Sequence, residues 1–277
     1  MKSARIFAAT LTLLTMLGAS AFAHAQASAT QDSQAAAPEE KWPGLKKALF
    51  GEREVREDGG EVLQLSVRIH PESASVVPVR IQAAFEQKAD RYIRYIYLVI
   101  DENPSPFGAR FTLTPESGRA DIETRVRVEN RSPVHAVAEL NDGSLWMQSA
   151  FVDAAGGCTA AFFGGGGQSE DALGTMQLRV DNREFSKHDP VSAQLIVAHP
   201  QFSGMTDNDD IPAHFVRQVN VYYADRLVLT ADMDFTISRN PSLRFYFTRE
   251  GEGELRAEVI DSTDLRFEKR LLVHAPQ

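Results

Sequence analysis

Cys158 is the single cysteine of the chain, and it stands in Ala154-Ala155-Gly156-Gly157-Cys158-Thr159-Ala160-Ala161, with Gly164, Gly165, Gly166 and Gly167 close behind. A thiol can close a disulfide, act as a nucleophile beside a base, or be displayed for other molecules to load. One cysteine closes no internal disulfide. A catalytic thiol needs a base within hydrogen-bond reach. The nearest charged residues along the chain are Asp153, Glu170 and Asp171, and carboxylates raise a thiol pKa rather than lower it. The glycines remove bulk beside the sulfur and free the backbone, so Gly156, Gly157 and Gly164 to Gly167 read as the flexible parts of an arm. The expectation is a displayed thiol, activated by a partner and carrying a covalent adduct. Two alternatives stand beside it: a buried bystander cysteine, and an unpaired thiol that links two copies as a disulfide-bonded homodimer.

Other residue clusters promise less. The histidines, at positions 24, 70, 135, 188, 199, 214 and 274, form no ligand pair at helical or hairpin spacing beside Cys158. His199 and His214 can meet across the second half of the chain, where a structural role outweighs metal binding for want of a full cluster. Asp207-Asn208-Asp209-Asp210 lacks the glycine and terminal glutamate of a calcium loop. The run Gly164 to Gly167 lacks the Lys-Ser/Thr of a phosphate loop. No Ser-His-Asp arrangement follows from spacing alone. No catalytic residue, metal ligand or cofactor is assigned, and the chain reads as a non-enzyme.

The elements that must position the thiol are mostly strands. Trp42, Leu45, Leu49 and Phe50 recur at helical spacing before Gly51, which predicts a short helix lying as a lid on the neighbouring core. From Val62 the period changes to two. Strands are predicted at Val62–Ile69, Val77–Ala83, Tyr92–Ile100, Arg110–Leu113, Asp121–Val128, Val134–Leu140 and Leu145–Val152, with Asp142-Gly143 as a hairpin signal. Residues 153–174 carry no pattern and read as an arm and linker. A second run follows at Thr175–Val180, Val191–His199, Phe215–Tyr223, Leu227–Asp232, Leu243–Thr248, Gly253–Ile260 and Arg266–Val273. Seven short strands in each half predict an all-β chain: two immunoglobulin-like β-sandwich domains, 41–152 and 175–277, joined by the Gly-rich linker.

Residues 1–25 read as a cleavable export signal: Lys2 and Arg5, an apolar stretch from Ile6 to about Phe22, then small residues around Ala23 and Ala25. Residues 26–40, rich in Ala, Ser and Gln, read as a disordered leader. The expected location is the periplasm, with no membrane insertion after processing. A formal charge of -9 argues against nucleic acid and steers basic partners.

The motifs in their order resemble a known pair. Val76-Val77-Pro78-Val79, Asp101-Glu102-Asn103-Pro104-Ser105-Pro106, Phe111-Thr112-Leu113-Thr114-Pro115 and Gly156-Gly157-Cys158 resemble SoxY of the bacterial sulfur-oxidation system. His199-Pro200, Ile211-Pro212-Ala213-His214-Phe215-Val216, Ser238-Arg239-Asn240-Pro241-Ser242-Leu243-Arg244-Phe245-Tyr246-Phe247 and Val259-Ile260-Asp261-Ser262 resemble its companion SoxZ. The joined arrangement is most similar to SoxYZ-like carriers associated with quinoprotein dehydrogenases. The resemblance implies that Cys158 holds sulfur intermediates as a covalent adduct while periplasmic redox enzymes, Sox-type or quinoprotein dehydrogenase, process them. The other reading is a non-catalytic scaffold for such a dehydrogenase with an incidental or dimer-forming cysteine. Thr159-Ala160 stand where the SoxY arm has its closing glycines, and the chain runs on, so the arm is tethered at both ends.

Overall fold

A computed structural model describes residues 41–159, 172–181, 189–205 and 212–274. The export signal, the leader and Gly164 to Gly167 lie outside the described residues. The helix α1 spans Trp42–Phe50 and ends at Gly51, whose φ of 64° is one that glycine adopts without strain. Phe50 packs with Val137, Leu145 and Met147 in a small cluster of its own, the lid that the apolar stripe predicts. Fifteen strands are described. The first half holds β1 (Val55–Glu57), β2 (Leu63–Val67), β3 (Val77–Ala83), β4 (Ile93–Ile100), β5 (Phe107–Leu113), β6 (Ile122–Val126), β7 (Ser132–Leu140) and β8 (Leu145–Val152). The second half holds β9 (Met176–Val180), β10 (Val191–Val197), β11 (Val216–Tyr223), β12 (Arg226–Met233), β13 (Ser242–Phe247), β14 (Gly253–Asp261) and β15 (Arg266–Val273). All but β1 coincide with alternating apolar runs in the sequence. β1, three residues long and paired in parallel with β8, is too short to show a period.

Each half is an immunoglobulin-like sandwich, and the two share their sheets. One sheet runs β1-β8-β7-β4-β5-β12-β11-β14-β15 and the other β2-β3-β6-β13-β10-β9. The junction falls at β5–β12, where Phe111 stands opposite Ala231 and Arg110 opposite Asp232, and at β6–β13, where Glu123 faces Arg244. Each half thereby covers strand edges that the other would leave open. One apolar core runs through both, with Phe111, Phe245 and Phe247 among its largest fully buried side chains. The halves are therefore merged edge to edge, beyond the joining by a linker that the sequence suggests. No helix among the described residues is long and apolar enough to cross a membrane.

Candidate functional site

After β8 the chain does not extend into solvent. Asp153 N donates to Ile69 O at 2.7 Å, and its carboxylate holds Arg131 at 2.7 Å. Gly156 N donates to Glu129 O at 2.7 Å and Gly157 N to Val128 O at 2.9 Å, so the arm lies along the segment that follows β6. A Cβ on Gly157 would stand 2.3 Å from Ala74 O and 2.7 Å from Val128 N. Gly157 is thus required for close approach, while Gly156 takes a φ of 79°. The expectation that these two glycines supply flexibility is corrected: hydrogen bonds and close backbone contact hold both in place.

Glu129 fastens the tip of the arm. Its Oε2 accepts from Cys158 N at 2.7 Å and Thr159 N at 3.0 Å, and its Oε1 accepts from Thr159 Oγ1 at 2.7 Å. From the second half, Ser203 Oγ donates to Cys158 O at 3.1 Å. The cradle is itself braced by Asn103, which is buried: its Oδ1 accepts from Glu129 N at 2.8 Å and its Nδ2 donates to Arg127 O at 2.8 Å. Ser105 Oγ donates to Asp234 Oδ2 at 2.9 Å. The motif Asp101 to Pro106 therefore builds the socket for Cys158, a role that its turn chemistry alone did not announce.

The sulfur is not displayed. Cys158 is 3% exposed, which overturns the sequence expectation of a freely reachable thiol. Glycines lack side chains to bury a neighbour, but here the whole arm is laid against backbone. Burial pushes the thiol pKa up to about 12; Glu129 adds to the rise, Arg127 opposes it, and Asp234 adds a smaller push. The controlling charges come from other strands and loops, where the sequence pointed to Asp153, Glu170 and Asp171. The docked thiol is protonated and unreactive.

The loop bearing Ser203 is anchored by a second cluster. His199 and His214 do meet, with ring centroids 4.6 Å apart. Asp261 Oδ2 accepts from His214 Nε2 at 2.8 Å and lies 3.7 Å from His199 Nε2. Its Oδ1 accepts from Thr263 N, Thr263 Oγ1 and Leu265 N. Phe202 and His214 exchange backbone hydrogen bonds, which sets the course of the chain into Ser203. The three donor atoms lie within 4.8 Å of one another, close enough to suggest a metal. The second nitrogen of His199 argues otherwise: Nδ1 accepts from Gln201 N at 3.2 Å, so the neutral ring carries its proton on Nε2, the atom a metal would need bare. A ligating imidazole instead donates from its other nitrogen. The cluster is best described as a buried His–Asp–His brace.

That brace makes stability depend on pH. Burial, with His214 adding, pushes His199 down to about 4 against the opposing pull of Asp261. The unfolded chain takes up this proton below about pH 6.5, whereas the folded chain resists until about pH 4. Stability is therefore complete above the unfolded value and is lost as pH falls through this window, by about 3 kcal/mol in all. Burial works to raise the Asp261 carboxyl, but hydrogen bonds from His214, Thr263 and Leu265 hold it below the ordinary carboxylate value. Its own contribution is lost only in still stronger acid. Urea unfolding across this range should show the decline, and His199→Gln should flatten it. An unchanged slope in that variant would contradict the assignment.

A Ser–His–Asp series absent from any spacing argument also forms. His135 Nδ1 lies 2.7 Å from Ser149 Oγ, and Nε2 lies 3.1 Å from Asp101 Oδ2. His135 and Ser149 are directly opposed on β7 and β8, and the Trp42 ring sits 4.2 Å over the imidazole. Ser149 lies within a paired strand, not on the strained strand-to-helix turn that displays a hydrolase serine. The series fastens α1 to the sheet.

Two family models match in tandem: sulfur oxidation protein SoxY over residues 46–158 and sulphur oxidation protein SoxZ over residues 179–271. The chain belongs to the SoxY/SoxZ family, with the two fused. In this SoxYZ-like chain the SoxY match ends on Cys158 itself. Among solved structures, the sulfur carrier protein SoxY from Chlorobium limicola f thiosulfatophilum is 20% identical, covering 41% of this chain and 90% of that one, with a TM-score of 0.34. A superoxide reductase (neelaredoxin) from Ignicoccus hospitalis is 13% identical over 36% of this chain and 94% of its own, with a TM-score of 0.32. Red sea bream transglutaminase is 14% identical over 86% of this chain and 34% of its own, with a TM-score of 0.25. No curated protein matches. The family supports a sulfur-carrier role for the chain.

Proposed function

We propose that this SoxYZ-like chain is a periplasmic thiol carrier that holds a sulfur-containing intermediate covalently on Cys158 for partner redox enzymes, a quinoprotein dehydrogenase system among them. The observation that carries this reading is the coincidence of the end of the SoxY match with the only cysteine. The export signal read at residues 1–25 accords with this location. The docked arm is then the resting state. A few hydrogen bonds from Glu129, Ser203 and the backbone of Val128 and Glu129 hold it, so release is a local opening that leaves the sandwich folded. A partner that engages the arm would remove Glu129 from the thiol and leave it near its ordinary pKa.

Loading is testable with tetrathionate as the probe. The Cys158 thiolate attacks an inner sulfur, an S–S bond breaks, and thiosulfate leaves with the electron pair. The protein keeps a thiosulfonate group through a new S–S bond, and the thiol proton goes to solvent. Wild-type protein should gain the mass of one thiosulfonate group, reversible by reductant. Cys158→Ser should fold alike and gain nothing. An adduct on the serine variant, or a wild-type protein that takes none even when the arm is freed by Gly157→Ala, would overturn the reading.

A further inference from the structure

The outer face of the six-stranded sheet is strongly cationic in a chain whose formal charge is -9. Strand register lays one row of side chains across it: Ser66 pairs with Arg80, Arg80 with Glu123, Glu123 with Arg244, Arg244 with Gln194, and Gln194 with Arg179. Pro78 and Arg125 pair in an adjacent row. These rows floor an open groove of about 520 Å³ that crosses the junction of the SoxY and SoxZ halves. Arg68, Arg80, Arg125 and Arg244 line it, and Glu123 is the one acid in its lining among the described residues.

The way the arginines are used shows what the face accepts. The Glu123 carboxylate is already held from two sides, by Arg80 at 2.5 Å and by Arg244 at 3.4 Å, so the groove is shaped for carboxylates. Arg125 donates Nη2 to Asn240 O at 3.0 Å, and its buried Nε has no partner. Among the described residues Arg68 reaches only Glu72, at 3.6 Å, on a side chain 94% exposed. The four lining arginines are spread from the end of β2 to β13, three strand spacings or about 14 Å. That is far wider than one small oxyanion and matches about four residues of extended chain. Guanidinium forks bind carboxylates in pairs of hydrogen bonds.

We propose that this face docks an acidic, extended segment of a partner protein, bound across the SoxY–SoxZ junction. The overall negative charge of the chain points toward basic partners, and this patch reverses that preference locally. The proposal stands independently of what Cys158 carries. Docking here would recognise the fused pair and neither half alone, because Arg68, Arg80 and Arg125 come from one half and Arg244 from the other.

The test uses the full chain and a fluorescein-labelled octaglutamate peptide, read by fluorescence anisotropy. Binding is expected at low salt and should weaken as salt rises. Arg68→Gln/Arg125→Gln leaves the Glu123 pair intact and should weaken binding about fivefold to tenfold, while Arg270→Gln, on β15 of the other sheet, should change nothing. Arg125→Gln alone, the milder change, should show the same direction. The proposal is overturned if the peptide does not bind at low salt, if Arg270→Gln weakens binding as much as the groove variants, or if phosphatidylglycerol vesicles bind and the peptide does not.

Discussion

Cys158 in the folded chain will react with iodoacetamide about a thousandfold more slowly than in the unfolded chain near neutral pH, and Glu129→Ala will recover much of that loss. The first part follows from the thiol pKa of about 12 against an ordinary value of 9.0. Three units remove about 10³ of the reactive thiolate, because each unit is a factor of ten in the ionised fraction. The second part follows from the double role of Glu129. It accepts three hydrogen bonds from Cys158 and Thr159, and its charge also raises the thiol pKa. One charge-assisted bond of this kind contributes about 1.5–3 kcal/mol, so losing the equivalent of even one should raise the labelling rate by about tenfold to a hundredfold. Gly157→Ala should act similarly by a separate route, since its methyl cannot fit beside Ala74 O and Val128. Circular dichroism should show all three proteins folded. Labelling of the native wild type at the unfolded rate would mean that the docked arm is not the resting state.

Asp261→Ala will lower the melting temperature by about 10 °C, the largest loss expected from a single side chain outside the apolar core. Asp261 is fully buried and is the acceptor for His214, Thr263 and Leu265. Removing it leaves the His214, Thr263 and Leu265 donors without their acceptor. The cost is about 3–5 kcal/mol, and a chain of this size loses about 2–4 °C per kcal/mol. Asp261→Asn keeps the volume and one oxygen acceptor and should cost about half as much. Because Phe202 and His214 exchange backbone bonds beside Ser203, Asp261→Ala should also speed Cys158 labelling. A melting temperature unchanged in Asp261→Ala would show that the cluster does not brace the second half.

Much of the architecture is legible in residue order. Period-two runs mark fourteen of the fifteen strands, because a strand with one face in a core must alternate, and Gly51 marks the end of α1. The motif order, with Gly156-Gly157-Cys158 at the junction, identified the family and the sulfur atom of interest. His199 and His214 could be paired as neighbours in space, although Asp261, the acceptor for His214, stood unremarked in its own motif. The Ser149–His135–Asp101 series could not be read, because it depends on β7–β8 register and on where β4 ends.

What residue order determined by itself was the local program: strands, turns, one helix, one thiol, and two sandwich halves whose motifs name their kind. Only the tertiary structure decided that the halves share both sheets, that β3, β6, β13 and β9 bring their arginines onto one face, and that the glycine arm is folded down with its sulfur buried. The physical reason is common to all three. Pairing of β5 with β12, the electrostatics of Glu129 and Asp234 at Cys158, and the fit of Gly157 against Ala74 each depend on groups far apart in the chain, and periodicity and composition carry no record of such distances.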